Sequence, residues 1–363
     1  QLRKLGNSEL YVTPIGLGCR TISHKFKEKE EAVSLIQKAV DLGINFIDTA
    51  DIYGRGKSEE IVGQAISSIR KKVVLATKGG IRITSEGKPT QDLSKDYISK
   101  AINESLNKLK TDYIDLYQIH YSDPEIPPKE TIQVLNEFIE TGEIRYIGLS
   151  NFLPEEFIEW TEQQDVATIQ LPYNLLQDKN YNELLPICKS RNISIIVYTP
   201  LLMGLLTEKI RKNAVFPQSD ERSRIPRVII EKCTETVGSL KSTAKEHDKT
   251  VVQLLLRWLI NQPMIGSVLM GVSNIRQIEE NIVATKMNFS KDEERSIKEV
   301  AVKIDLKLDN QAALTEKVEK VFTNFAERKV ALLNMGMKIT VPEYVRAGDK
   351  IMISWSGKFM RVV

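Results

Sequence analysis

Four polar side chains of the kinds that move protons stand at the ends of apolar runs. Asp48 and Tyr53 lie in INFIDTADIYGRGKSEE, residues 44 to 60, Lys78 closes VVLATK, and His120 closes YIDLYQIH. A free tyrosine titrates near pH 10 and is a weak acid at neutrality. A lysine cation beside it favours the phenolate and lowers that pKa, and a carboxylate such as Asp48 can hold the lysine and offset its burial. A histidine nearby can orient a carbonyl oxygen toward the phenol. Grouped in this way, the four make Tyr53 a general acid. Taken singly, each has an ordinary explanation: a turn cap, a wet tyrosine, a snorkelling lysine, a satisfied core histidine. They acquire a joint meaning only if their strands end side by side. Asp51, in the same stretch, reads as solvated or capping.

The order of elements bears on that condition. After a hairpin over residues 2 to 12, PIGLG reads as a strand and KEEAVSLIQKAVDLG as a helix, with Ala32, Leu35, Ile36 and Ala39 as its apolar stripe and Gly43 as its stop. Strand and helix then alternate: INFIDT, a helix from Ser58 to Arg70, VVLAT, LSKDYISKAINESLNKL, YIDLYQIH, KETIQVLNEFIETG, IRYIGLS, PEEFIEWTEQ, ATIQL, YNELLPICKSRN and ISIIVYT. A long loop and two helices lead to the strand IGSVLMG and the helix NIRQIEENIVA. The strands are short and almost wholly apolar, as parallel strands buried on both faces should be. Eight such units joined by right-handed crossovers predict an α/β chain folded as a (β/α)8 TIM barrel, whose site lies where the strands end and the following loops begin. A doubly wound open sheet is the competing architecture, but its GxGxxG fingerprint is incomplete: in GLGCRT, Thr21 stands at the third glycine position.

The pattern stops near Asn288. We expect a barrel over residues 1–300 and a C-terminal extension over 301–363, with a charged helical stretch to Lys329 and then a β-rich tail. Alternation in DKIMISW and the turn SGK predict a hairpin, with Ile339, Val341, Ile351, Ile353 and Trp355 on its apolar face.

Composition excludes several classes. Hydrophobic residues make up 42% of the chain, enough for a large core, and the formal net charge is only +3 with no basic block interleaved with aromatics. Nucleic acid is not an expected partner. The most apolar run, VVQLLLRWLI, is too short to span a bilayer and contains Arg257. Cys19, Cys188 and Cys233 read as ordinary thiols of a reducing compartment, and with His24, His120 and His247 they show no metal-ligand spacing. With no signal-peptide pattern at the N-terminus, the expected location is cytoplasmic, with no membrane partner and no metal.

DTADIYG, ATKGG, YIDLYQIH, GLSNF, IQLPYNLL, YTPLLMGLLT and the IEEN ending at Asn281 resemble signature segments of the aldo-keto reductases, from about residue 3 to residue 300. The resemblance implies a barrel that reduces aldehydes or ketones with NADPH or NADH and needs no Rossmann motif. Asp48, Tyr53, Lys78 and His120 match the family's catalytic residues. Ser150, Asn151 and Gln170 match those that hold the nicotinamide carboxamide, and Tyr198 the ring that stacks on it. Thr199 and the loop from Leu201 to Gly204 match the pyrophosphate segment. Gly271, Ser273, Asn274, Gln277, Glu280 and Asn281 match the adenosine segment, where a helix starting near Asn274 would turn backbone N–H groups toward a phosphate.

There are two departures. Where many relatives carry an apolar residue in the pocket wall, this chain has Arg20 in GLGCRTISH, which favours a small carbonyl substrate that is anionic or sugar-like if the guanidinium turns inward rather than to solvent. The lysine and arginine that many relatives place on the 2′-phosphate align with Gly271 and Gln277, leaving Arg276 as a substitute and NADPH ahead of NADH. A rival reading is a redox-sensing, cofactor-binding subunit resembling the potassium-channel β subunits, which would keep the same catalytic residues. A barrel glycosidase would need a second facing carboxylate, and none is evident.

Overall fold

A computed structural model describes residues 1–26, 28–303, 314–353 and 359–363. In chain order its strands are β1 (Arg3–Lys4), β2 (Tyr11–Val12), β3 (Ile15–Gly18), β4 (Phe46–Asp48), β5 (Val74–Gly79), β6 (Ile81–Ile83), β7 (Pro89–Gln91), β8 (Ile114–Ile119), β9 (Ile144–Ser150), β10 (Thr168–Pro172), β11 (Ser194–Tyr198) and β12 (Ile265–Met270). β13 (Leu314–Thr323), β14 (Lys329–Leu333), β15 (Lys338–Thr340), β16 (Lys350–Ile353) and β17 (Phe359–Val362) follow.

β3, β4, β5, β8, β9, β10, β11 and β12 close, in that order, into a parallel barrel, with β12 paired to β3. This is the expected (β/α)8 architecture. Helices wrap the strands, and in Lys29–Asp41 the buried set includes Ala32, Leu35, Ile36 and Ala39, as the spacing predicts. Gly43 follows at φ +95°, a left-handed position that suits a glycine at a helix end.

The barrel interior is filled from below. β1 and β2 form the expected hairpin, and Leu5, Leu10 and Val12 pack with the inward residues Phe46, Ala76, Leu116, Ile196 and Leu269. Arg3 donates to the carbonyls of Ile260 (2.7 Å) and Ile265 (2.8 Å), which ties the hairpin to the last strand.

Several expectations are corrected. The helix expected to reach Arg70 ends at Ile66, and a 3-10 turn covers Arg70–Lys72. β6 and β7 form an antiparallel hairpin after β5 that the strand–helix alternation did not announce. Among the described residues the charged stretch is helical over Lys291–Lys303, and β13, expected as helix, is a strand paired with both β14 and β16. Its register shifts between Val318 and Lys320, so Val318 and Val321 both pack on the module core three residues apart, a spacing that imitates a helical stripe.

The tail forms an antiparallel sheet in the order β15, β14, β13, β16, β17. Val341, Ile351 and Ile353 are buried in it and Ile339 packs against them, while Trp355 and the SGK turn lie outside the described residues. Among the described residues no helix is long and apolar enough to cross a membrane. Cys19, Cys188 and Cys233 are free and buried, and burial pushes the thiols of Cys188 and Cys233 up to about 12.

Candidate active site

Successive strand residues point to opposite faces, so in β4, β5 and β8 the positions two apart share the barrel interior. Phe46, Ala76 and Leu116 fill one layer, and two residues further on Asp48, Lys78 and Gln118 occupy the next. An apolar floor with a polar layer above it is therefore a direct product of the alternation. Asp48 and Lys78 are among the most buried polar residues of the chain, at 2% and 0% exposure.

Lys78 Nζ donates to Asp48 Oδ1 at 2.5 Å and to the Thr49 carbonyl at 2.9 Å, and lies 3.4 Å from the Tyr53 hydroxyl. Asp48 Oδ2 accepts from Gln118 Nε2 at 2.9 Å and from Gln170 Nε2 at 2.8 Å. The His120 ring meets Tyr53 edge-on, with centroids 5.8 Å apart, and stacks on Tyr121 at 5.4 Å. His120 Nδ1 is buried and has no hydrogen-bond partner among the described residues. The expected four residues are thus in one place.

The electrostatics refine the expectation for Tyr53. Burial raises its pKa, and the Lys78 cation only partly offsets that, so the phenol stands above its ordinary value and is protonated at neutrality. Burial alone would lower Lys78, but Asp48 and Tyr53 outweigh it and the ammonium is held above its ordinary value. Burial, reinforced by Lys78 and Arg20, pushes His120 well below the usual imidazole range, so the ring is neutral and can donate one hydrogen bond.

Ser150 ends β9 and Gln170 lies opposite it in β10. Asn151, at φ +59°, donates from Nδ2 to Ser150 Oγ (3.0 Å) and the His120 carbonyl (3.1 Å), while its Oδ1 accepts from the Tyr198 hydroxyl at 2.6 Å. Gln170 also donates to Gln118 Oε1 at 3.1 Å. This leaves the Ser150 hydroxyl proton and Gln170 Oε1 to meet a primary amide, which both donates and accepts, and so fits a carboxamide.

β11 ends at Tyr198. Thr199, Leu202, Met203 and Gly204 then take positive φ, and Leu202–Gly204 forms a 3-10 turn just after Leu201, with open space where a Cβ on Gly204 would project. Gly271 follows β12, which pairs with β11, so these two loops are neighbours. Asn274 caps the helix Ile275–Ile282 by accepting from Gln277 N at 3.0 Å, and Gln277 Oε1 in turn accepts from Ser273 N at 2.8 Å. Gln277 is therefore folded back on its own turn. Arg276 pairs with Glu280 at 2.7 Å on the surface, and Asn281 lies one residue on in the same helix.

Arg20 takes the outward of the two expected positions. Its guanidinium is exposed and pairs with Glu221 at 2.6 Å, although its charge still acts on Tyr53, His120, Tyr121 and Tyr198. Asp51 differs from expectation. Its Oδ1 is sealed from solvent without a partner, and burial with Glu59 nearby raises its pKa well above the usual carboxylate range.

Two residues escaped the sequence reading. Gln118 sits two places before His120 in the alternation, which was the available signal. Glu221 lies in the long loop after β11, where no periodicity points to a partner.

The profile of the Aldo/keto reductase family matches residues 14–302. An uncharacterized oxidoreductase, YqkF, of Bacillus subtilis is 38% identical over 294 residues, covering 80% of this chain and 93% of the relative. An NADH-specific methylglyoxal reductase of Escherichia coli is 31% identical over 319 residues, covering 82% and 97%. A solved aldo/keto reductase from Klebsiella pneumoniae, in complex with NADP and acetate, aligns with a TM-score of 0.68 at 26% identity, covering 82% of this chain and 95% of that one. Since the match runs through all eight barrel strands and the loops that follow them, the chain belongs to the aldo/keto reductase family.

Proposed function

We propose that Tyr53, Lys78, Asp48 and His120 are the proton-transfer centre of this enzyme, with residues 1–300 as the catalytic barrel and 301–363 as an extension. The chain is an NAD(P)H-dependent oxidoreductase that reduces an aldehyde or ketone to an alcohol. The observation that carries the assignment is the contact chain from Asp48 through Lys78 to the Tyr53 hydroxyl, with the His120 ring edge-on to Tyr53.

Ser150, Asn151, Gln170 and Tyr198 would hold the nicotinamide, which when bound supplies the hydride; Thr199, Leu201, Gly204, Gly271, Ser273, Asn274, Gln277, Glu280 and Asn281 would hold the rest of the dinucleotide. Tyr53 donates its proton to the carbonyl oxygen as negative charge develops there, and Lys78 stabilises the phenolate left behind. Neutral His120 donates to the same oxygen and fixes its direction. Asp48 keeps Lys78 charged and aimed. A screen of carbonyl compounds that follows loss of reduced-nicotinamide absorbance tests this. Turnover identifies an enzyme, whereas tight cofactor retention without turnover supports the redox-sensing subunit instead.

Arg20 suits an anionic or densely hydroxylated substrate, because an incoming carboxylate or phosphate can take the place of Glu221 on the guanidinium. Arg20→Met is expected to lower kcat/KM for an anionic aldehyde about fivefold more than for a neutral one, the scale of a solvent-screened pair. Equal losses for both would remove the direct contact.

NADPH is the preferred cofactor, with Arg276, the one cation of the helix Ile275–Ile282, as the candidate partner of the 2′-phosphate. The side chain is 85% exposed and shared with Glu280, so its contribution is a screened one. Arg276→Ala is expected to shift the ratio of NADPH to NADH affinity by about threefold to tenfold toward NADH, measured by titration of both. An unchanged ratio removes Arg276 from the recognition.

A further inference from the structure

The extension after the barrel has its own core, yet the hairpin formed by β14 and β15 is seated on the rim that carries the active site. Gln91, at the end of β7 and 3% exposed, clasps the backbone of Lys338: its Nε2 donates to the Lys338 carbonyl at 2.9 Å, and its Oε1 accepts from the Lys338 N–H at 2.9 Å. In effect a side chain of the β6–β7 hairpin completes a backbone pairing that β15 would otherwise lack. Gly336, in the turn before β15, has φ +94°, and a Cβ there would lie 2.2 Å from the Pro89 carbonyl oxygen. The approach is that close only because the residue is glycine.

The side chain of Lys338 goes deeper. Its ammonium lies 3.1 and 3.3 Å from the two carboxylate oxygens of Asp123 and also pairs with Glu125. The Asp123 side chain is 1% exposed. Asp123 also accepts from Glu125 N at 3.0 Å and from Leu93 N at 3.3 Å. Three residues earlier in the same loop stands His120, stacked on Tyr121. A buried carboxylate so close to the site, with two backbone donors and a countercharge from another module that it shares with Glu125, depends on that countercharge to stay in place. Burial raises the pKa of Asp123 and Lys338 works against that rise.

We propose that the C-terminal β module is a working wall of the active site, and that Lys338 is a positioning residue which, through Asp123, holds the His120–Tyr121 segment against the substrate. The inference rests on the reductase reading for its kinetic consequence, although not for the contact itself. Removing the ammonium loosens a segment that orients the carbonyl, and small displacements at a reacting centre are costly.

The test uses the full chain with Lys338→Met, Lys338→Arg and, as an independent disruption of the same seat, Gly336→Ala. Lys338→Met is expected to raise KM for the carbonyl about tenfold with a smaller change in NADPH affinity, because the segment carries His120 itself and reaches the cofactor residue Asn151 only through the His120 carbonyl. Lys338→Arg should restore most of the loss. A fall in folded fraction alone would lower the apparent kcat and leave KM unmoved. With only 3 histidines in the chain, the ring resonances of His120 can be followed directly by NMR, assigned with His120→Asn. They are expected to shift in Lys338→Met and Gly336→Ala alike. If Lys338→Met fails to fold, Gly336→Ala carries the same two readouts. Unmoved KM and unmoved His120 resonances in the variants of an active enzyme overturn the proposal. A shifted His120 signal in a protein that reduces no carbonyl would leave the positioning intact and remove the reductase reading.

Discussion

Tyr53→Phe is expected to lower the rate of carbonyl reduction by about a hundredfold to ten-thousandfold, the range supplied by a positioned general acid. The change removes one oxygen from a buried site and alters no contact to Ser150, Asn151, Gln170 or Tyr198, so cofactor affinity should stay within about twofold of wild type. The phenol is raised above its ordinary pKa by burial, and this makes it a donor across the neutral range instead of a phenolate awaiting a proton. Loss of activity as pH rises should therefore set in only on the alkaline side of the free tyrosine value. Single-turnover measurements with saturating cofactor isolate the chemical step. A variant that retains more than about a tenth of the wild-type rate would place the proton donor elsewhere.

The second large effect concerns folding. Asp48→Ala strips Lys78 of its countercharge and leaves the ammonium with the Thr49 carbonyl and the Tyr53 hydroxyl in an interior with 0% exposure. Breaking a buried pair in this way costs about 3–5 kcal/mol. The two amide donors of Gln118 and Gln170 lose their acceptor as well. A fall in the denaturant midpoint at unchanged slope measures this.

The pH dependence follows from the sign of the lysine shift. In the wild type the folded pKa of Lys78 lies above the unfolded one, so its stabilisation is fully present below the unfolded value, about 10.5, and is lost as pH rises through the folded value. In the variant burial, the largest influence on Lys78, is opposed only by Tyr53 and depresses the lysine, so the folded state sheds its proton early and the penalty lifts as pH climbs. The gap between the two proteins is therefore expected to be widest near neutrality and to close in alkali. A gap that stays constant up to strongly alkaline pH would show that lost packing, and not the ion pair, sets the cost.

The parts of this protein that were legible in its sequence are those governed by short periods. Apolar runs separated by amphipathic helices dictate a parallel barrel, and the position of a polar residue at the end of a run dictates the rim. Asp48, Lys78 and His120 could be placed in this way without coordinates. Gln118 could not, because a polar residue inside an apolar run reads equally as core or as site until its neighbours across three strands are known. β13 was misjudged for a local reason: one extra residue in the strand turned a two-residue repeat into a three-residue one. The pairs Lys338–Asp123 and Arg20–Glu221 join residues 215 and 201 positions apart, and nothing in a linear reading aligns them. The environment of Tyr53 was also beyond it, since the balance between burial and the lysine field is a property of the assembled rim.

The hairpin beneath the barrel has a consequence for how the chain comes together. β3 has β4 on one side and β12 on the other, and Arg3 finds acceptors at Ile260 and Ile265. During synthesis the first strands emerge long before the partners that complete them. Until residue 270 is available, the ring stays open along one seam and its plug has no far wall to grip. Contacts spanning that much of a chain carry a heavy loop-closure cost and slow folding. The enzyme is therefore built with its first and last barrel strands as a clasp that shuts late, and the nascent sheet must meanwhile be kept from pairing with its neighbours.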